Sequence, residues 1–375
     1  MERVIVTPRR HWNQKVESLG LSWHSTGEAY WRENATYVFT PEEIDTIEAA
    51  TNELYRIARL TVAHVIDERR FAELGIPESA VPLITRSWLR EERSLYGRFD
   101  LVFNGREEPK LLEFNADTPT SLLEASIVQW QWKQDVNPSA DQFNSLHERL
   151  VARWQEIVPS DRMLHLACYT ENDEDLHTVE YLADTAIEAG LCTKVLDISQ
   201  VCWSERDSAF FDLEGRPIQY LFKLYPWEWM MQDEFAAHLS LSDTVLLEPA
   251  WKMVLSNKGI LPIMWELFPD HPNLLRCFRD PRALQGQEYV EKPIFSREGN
   301  NITIVSNGQA IEATGGYYAE NPKVYQARAT LPNFGGTNMI IGSWIIGDEA
   351  GGMGIREDQA LITTNLSPFV PHYFR

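Results

Sequence analysis

Cysteine is scarce in this 375-residue chain, with four residues at 168, 192, 202 and 277 and no CxxC pair. That excludes a disulfide framework and predicts reduced, mostly buried thiols. None of the nine histidines stands at HExxH or zinc-finger spacing, so no transition-metal centre is expected. A GxxxxGKS/T segment is missing, which excludes the P-loop class of nucleotide site, and the GxGxxG dinucleotide fingerprint is missing too. No run approaches the roughly 18 apolar residues of a membrane span. The N-terminal MERVIVTPRRHWNQK has no signal-peptide core, and the expectation is a soluble, cytoplasmic protein. Positive charge is in deficit, 34 Lys and Arg against 55 Asp and Glu, a net −21. Binding to a nucleic-acid backbone or an anionic membrane needs clustered cations, so neither is an expected partner.

What is present describes a large globular core: 44% apolar residues and 13 tryptophans. At about 150 residues per domain the length predicts two or three structural units. Thr40 before Pro41-Glu42-Glu43 has the form of a helix N-cap with proline and carboxylates in the first turn. The apolar stripe through Ile44, Ile47, Leu54, Ile57, Ala58 and Val62 carries one or two core helices to about 70. From 163 onward strand, helix and strand alternate (MLHLACYT, TVEYLADTAIEAG, TKVLDIS), as in an α/β unit. The tail predicts two strand pairs, YVEKPI with NITIVS and MIIGSWII with ALITTNL. The expected division is 1–160, an N-terminal helical part with a hairpin; 161–255, an α/β unit; and 256–375, two further lobes, all interleaved.

The segment YGRFDLVFNGREEPKLLEFN reads as an antiparallel hairpin. Opposing Asp100 to Glu113 also opposes Arg98 to Asn115 and centres the loop in the turn-rich GREEP, with no register adjustment. Alternation then puts Arg98, Asp100, Glu113 and Asn115 on one face and Phe99, Leu101, Phe103, Leu112 and Phe114 on the other. Two carboxylates and an amide are hard oxygen ligands suited to Mg²⁺. Opposed carboxylates also repel unless a cation stands between them. The alternative is a solvated strand face with a surface salt bridge. Arg98 beside this set could stabilise a transferring phosphoryl group. Lys258 in SNKGILP, Lys292 in VEKPI, Arg297 in the loop FSREGNN and Arg356 in the glycine-rich GGMGIRED, read as a flexible turn, are further cations; each alone could be a surface residue. Segment 171–175, ENDED, is either a solvated acidic helix start or a carboxylate wall suited to a multiply charged amine.

Four long segments, YGRFDLVFNG…KLLEFNADTPTSLLEAS, LEPAWKMVLSNKGILPIMWELFPDHPNLL, YVEKPIFSREGNN and GIREDQALIT, resemble the synthetase domain of glutathionylspermidine synthase. They are closer still to its stand-alone bacterial homologues, described as acid–amine ligases. The resemblance covers nearly the whole chain. It implies an α+β or α/β architecture, the ATP-grasp fold with a preATP-grasp α/β unit. By position it implies Asp100, Glu113 and Asn115 as Mg²⁺ ligands and Arg98 and Arg356 as stabilisers of the transferring phosphoryl group. Lys258 and Lys292 match the ATP lysines, and Arg297 and Gly299 the phosphate-covering loop. Gln326, Ala327, Arg328 and Ala329 match the adenine-side hinge, and Leu361, Ile362 and Thr363 line the nucleotide pocket. Thr118, Thr120, Glu174, Asp175 and Glu228 match substrate positions. Ile340 stands where the family has a polar nucleotide contact, and KLYPWEW departs from the family's substrate-side segment.

The implied reaction is ATP-dependent ligation of a small acid (glutathione or a peptide) to an amine (a polyamine) through an acyl phosphate, with Mg²⁺. The chain is too short to hold the bifunctional enzyme's amidase domain, so hydrolysis of the product is not expected. The rival expectation is a catalytically inactive ATP-binding regulatory protein.

Overall fold

The computed structural model describes residues 1–26 and 29–375. Thr40 begins the first long helix, Pro41–Asp67, with a capping box: its side chain accepts from the Glu43 N–H while the Glu43 carboxylate accepts from the Thr40 N–H. The apolar stripe of that helix is buried, and Thr51 Oγ1 lies 2.6 Å from Ser343 Oγ on the sheet beneath it. No helix among the described residues is long and apolar enough to cross a membrane.

That sheet is the centre of the molecule. It joins β3 (Tyr96–Val102) and β4 (Lys110–Asn115) to β16 (Asn333–Phe334), β17 (Thr337–Ile346), β18 (Glu349–Asp358) and β19 (Phe369–Val370). The hairpin at 98–115 thus shares its sheet with residues 337–358, far along the chain. A parallel sheet follows the order β10 (Val245–Leu247), β9 (Tyr220–Lys223), β5 (Met163–Cys168), β6 (Cys192–Asp197), with the helix Asp173–Glu188 connecting β5 to β6. An antiparallel sheet comprises β11 (Cys277–Phe278), β15 (Lys323–Ala327), β12 (Tyr289–Pro293), β13 (Thr303–Ser306) and β14 (Gln309–Ala313). Smaller sheets are formed by β1 (Glu2–Ile5), β2 (Ala35–Phe39) and β20 (His372–Phe374), and by β7 (Cys202–Ser204) with β8 (Ala209–Phe211).

Three expectations need correction. MIIGSWII pairs with β18 and not with ALITTNL, and residues 360–366 form no strand. Consequently Arg356 stands on a strand within the central sheet and not in a flexible turn. Glycines read as a turn when the sequence is taken alone, but in a strand they mark close backbone approach: the Gly351 carbonyl accepts from Ser145 N–H at 2.7 Å, at the start of the helix Leu146–Ile157. The hairpin does need a register adjustment. Arg98 opposes Asn115 and Asp100 opposes Glu113, but a bulge then sets Leu101 against Leu111. The extra residue, Leu112, turns to the same side as Glu113 and lines a cavity, while Leu111 is fully buried. Phe99 and Phe114 stack on the core side, centroids 3.8 Å apart. Finally, of the four thiols, Cys168 and Cys277 are buried, Cys202 is half-buried and Cys192 is exposed.

The bulge gives adjacent leucines opposite fates. Leu111→Ala should cost about 2–5 kcal/mol of unfolding free energy, the range for truncating a buried leucine, and Leu112→Ala less than half as much. Urea unfolding of the two variants checks this; equal losses would place both leucines in the core.

Candidate active site

One cavity of about 960 Å³ lies where the central, parallel and antiparallel sheets converge. The parallel sheet supplies its rim as open α/β sheets do, from the carboxyl ends of strands. Tyr169, Thr170 and Glu171 follow β5, Asp197 and Ser199 lie at the end of β6, and Leu224, Pro226 and Trp229 follow β9. Every site residue expected from the sequence lines this cavity except Glu228, which stands just behind it against Arg297.

At its floor, Arg98 grips Asp100 with two hydrogen bonds, Nε to Oδ1 at 2.7 Å and Nη2 to Oδ2 at 3.1 Å, and donates a third to the Thr120 carbonyl at 2.6 Å. Gly342, which opposes Asp100 on β17, leaves room for the Arg98 side chain; a Cβ there would stand 2.8 Å from Arg98 Cδ. Asn115 Nδ2 sits between the carboxylates, 3.2 Å from Asp100 Oδ2 and 3.4 Å from Glu113 Oε1. Burial pushes the Glu113 carboxyl up, but Lys258, at 3.1 Å, and Lys292 overcome it and hold it down at about 2. Lys292 is itself pushed down by burial against the pull of Glu113, and donates to the Leu112 carbonyl at 2.9 Å and Gln326 Oε1 at 2.7 Å. Gln326 Nε2 donates to the Leu111 carbonyl at 3.0 Å, so the antiparallel sheet meets the central sheet on the bulge.

The donor set fits Mg²⁺. Among the described residues no three His, Cys, Asp or Glu side chains are grouped as a metal site, but Mg²⁺ ordinarily takes one or two protein carboxylates and fills its sphere with water and phosphate. Asp100 and Glu113 provide two, and rotation of the Asn115 amide adds a third oxygen. An adjoining apolar section of the wall comprises Val290, Ile302, Ile304, Ile340 and Leu361, beside Ala327, Arg328 and Ala329, and suits a flat base. Ile340 therefore extends this apolar surface. The Leu361 and Ile362 N–H groups donate to Glu312 at 3.0 and 2.9 Å, which fixes the segment that carries Thr363. No sequence signal marked Glu312.

Arg356 is held by Ser121 Oγ at 2.9 Å and by the carbonyls of Ser367, Thr364 and Asn365 at 2.7, 2.7 and 2.8 Å. Arg297 donates to Glu228 Oε1 at 2.6 Å and to Thr118 Oγ1 at 2.7 Å. At Gly299, with φ 70°, a Cβ would run into the Thr363 carbonyl oxygen, so only glycine lets the loop pack there. Asn172 caps the helix Asp173–Glu188, and Glu174 and Asp175 in its first turn face the cavity. Burial, then the nearby Glu124, pushes the Glu174 carboxyl up to about 8; burial, then Glu298, pushes Asp175 up to about 6. ENDED is thus partly a cavity wall and not merely a solvated helix start.

A family model described as glutathionylspermidine synthase preATP-grasp matches residues 3–375. The chain belongs to this family. A Haemophilus influenzae relative bearing the name "Putative acid–amine ligase" is 40% identical over 392 residues, with both chains covered in full. Trypanothione synthetase of Crithidia fasciculata is 30% identical over 82% of this chain and 52% of its own. The bifunctional glutathionylspermidine synthetase/amidase of Escherichia coli K12 is 27% identical over 89% of this chain and 58% of its own. The chain therefore spans the first relative and about half the length of the other two. A solved glutathione synthetase-like effector of Globodera pallida shares the fold, with TM-score 0.59 over 97% of this chain and 98% of that one at 9% identity. This glutathionylspermidine synthase family member has the ATP-grasp architecture with its preATP-grasp unit and is an enzyme of the acid–amine, C–N bond-forming ligase class.

Sequence reasoning missed the aromatic rim, Tyr169 and Trp229, both over 40% exposed, and the buried acid Glu124, which accepts from Tyr30 Oη at 2.5 Å. Tyr169 lies in MLHLACYT, Trp229 closes KLYPWEW and Glu124 lies in KLLEFNADTPTSLLEAS, but neither an aromatic nor a lone glutamate signals a site by itself.

The wall carboxylates carry a pH signature. Glu174 has a folded-state value raised above its unfolded one, so it takes up a proton on folding and its contribution declines as pH rises from about 4.5 through about 8. Glu174→Gln should therefore be more stable than wild type at pH 9, with the Tm gap closing toward pH 5. A gap that is constant with pH would show an ordinary carboxyl.

Proposed function

We propose that this protein is an ATP-dependent carboxylate–amine ligase acting through an acyl phosphate, comparable to the synthetase half of glutathionylspermidine synthetase. The observation that carries the reading is the meeting, in one cavity, of the Asp100, Glu113 and Asn115 oxygen set with Arg98, Lys258, Lys292 and Arg356, beside an apolar slot. Asp100, Glu113 and Asn115 would hold Mg²⁺, which when bound neutralises phosphate charge. Lys258 and Lys292 orient the nucleotide's phosphates, with its base against Val290, Ile302, Ile304 and Ile340, along the backbone of Gln326, Ala327, Arg328 and Ala329 and beside Leu361, Ile362 and Thr363.

The γ-phosphoryl group passes from ATP to the acid's carboxylate, breaking the bond to ADP and forming a new P–O bond. Arg98 and Arg356 stabilise the charge on the transferring oxygens, preoriented by their own hydrogen bonds. The neutral amine then attacks the acyl carbon, phosphate leaves, and the amine's proton is lost. Arg297 and Gly299, in the loop over the phosphates, exclude the water that would otherwise hydrolyse the intermediate. Thr118, Thr120 and Glu228 border the acid. Glu174 and Asp175 offer negative charge to a cationic amine, and a polyamine is the proposed class. An acid such as glutathione or a small peptide is supported by the names of the relatives. No nucleic-acid or membrane partner is part of this reading, and a cytoplasmic setting fits it.

Purified protein with Mg-ATP, glutathione and spermidine should release ADP only when both substrates are present and should yield an amide detectable by mass. Arg98→Ala should lower that rate by about 10³-fold or more, the scale of a phosphoryl-stabilising arginine. Tight ATP binding with no amide from a broad panel of acids and amines would instead establish the regulatory alternative. Asp100→Ala separates the two from the other side, since a ligase loses turnover while its thermal unfolding persists.

A further inference from the structure

Asp117 and Lys223 form an ion pair at 2.7 Å with side chains 1% and 0% exposed. Neither lines the cavity, and the reaction above uses neither. Their remaining bonds are specific. Lys223 Nζ also donates to the Tyr225 carbonyl at 2.9 Å and lies 4.5 Å from the centre of the Trp227 ring. The second oxygen of Asp117 accepts from the Trp227 N–H at 2.8 Å. Asp117 immediately precedes Thr118, and Trp227 immediately precedes Glu228. Thr118 and Glu228 are the two acceptors for Arg297, at 2.7 and 2.6 Å. One buried carboxylate therefore ties together two segments 110 residues apart in sequence, each of which presents one half of the Arg297 socket.

We propose that the Asp117–Lys223 pair is a positioning unit: it holds Thr118 and Glu228 at the spacing at which Arg297 bridges them, and so keeps the 296–300 loop closed over the cavity. The physical case is one of economy. Burying two charges is costly unless they are hydrogen-bonded throughout, and here each charge spends its remaining hydrogen bond on the backbone of the segment that carries Glu228. Burial pushes the Lys223 ammonium below the usual lysine range, and Asp117 opposes that push. The pair thus gives little stability that an apolar pair could not give, but it sets a distance that an apolar pair could not set. Its consequence for catalysis rests on the ligase reading: a loosened loop admits water, so phosphoryl transfer becomes uncoupled from amide formation.

The socket can be tested without substrates. Trypsin cleavage after Arg297 is measured against cleavage after the exposed Arg282, in urea that brings every variant to the same global unfolding free energy, so that global opening contributes equally. Glu228→Gln, which weakens the socket directly, and the neutral pair Asp117→Asn with Lys223→Met should each raise this ratio by about tenfold or more, the factor for losing a charge-assisted hydrogen bond. Should the neutral pair fail to fold, Asp117→Glu, which keeps both charges but displaces the anchor, takes its place. With active enzyme, amide formed per ADP released should fall several-fold in the same variants, a ratio that does not depend on the folded fraction. An unchanged cleavage ratio in the pair variants overturns the proposal, whether or not Glu228→Gln responds. Failure of wild type to make any amide would sink the ligase reading alone, because the cleavage ratios would still stand.

Discussion

The confrontation of Asp100 and Glu113 across neighbouring strands is the interaction on which the rest of the site depends. Two carboxylates half removed from water and facing one another cannot both stay ionised without cations close by. The protein supplies these from three directions: Arg98 from the same strand, Lys258 from the segment before the helix Ile260–Leu267, and Lys292 from the antiparallel sheet. Because the cations come from elements far apart in sequence, satisfying the hairpin draws those elements together. The cavity is the space left where they converge. On the proposed reading, some of those contacts would be exchanged for a metal ion and phosphates.

Further from the chemistry, buried ion pairs continue the same logic. Glu248 accepts from Leu95 and Tyr96 N–H, both at 3.0 Å, and pairs with Lys252 at 2.8 Å. This sets the start of β3, the strand that bears Arg98 and Asp100. Asp117, paired with Lys223, likewise accepts from the Trp227 N–H and joins the segments that carry Thr118 and Glu228. The molecule thus uses full burial of charge at a few points where two sheets must be held in a particular relation, and leaves ordinary packing to stabilise the remainder.

Much of this was legible locally. The capping box at Thr40, the α/β alternation from 163, and the hairpin carrying Arg98, Asp100, Glu113 and Asn115 depend on short-range chemistry: capping hydrogen bonds, periodicity and strand alternation. The resemblance of long motifs to a known family extended the reading to Lys258, Lys292 and Arg356. What failed locally did so for stated reasons. The bulge at Leu112 arises because Lys292 and Gln326 claim the carbonyls of Leu112 and Leu111, a demand made by another sheet and invisible from the hairpin. The strand at 349–358 looked like a turn because its glycines serve a neighbouring backbone that the sequence does not place nearby.

By itself, then, the sequence determined the first long helix, the α/β alternation, the family and the shared face of Arg98, Asp100, Glu113 and Asn115, because each depends on residues within reach of one another along the chain. Only the tertiary structure decided that Glu174 and Asp175 face a shared cavity and lose much of their hydration there. It also decided that Arg297 finds Glu228 and Thr118, and that Asp117 finds Lys223. Burial and long-range charge pairing depend on which surfaces are brought together, and that is a property of the packed sheets and not of any one segment.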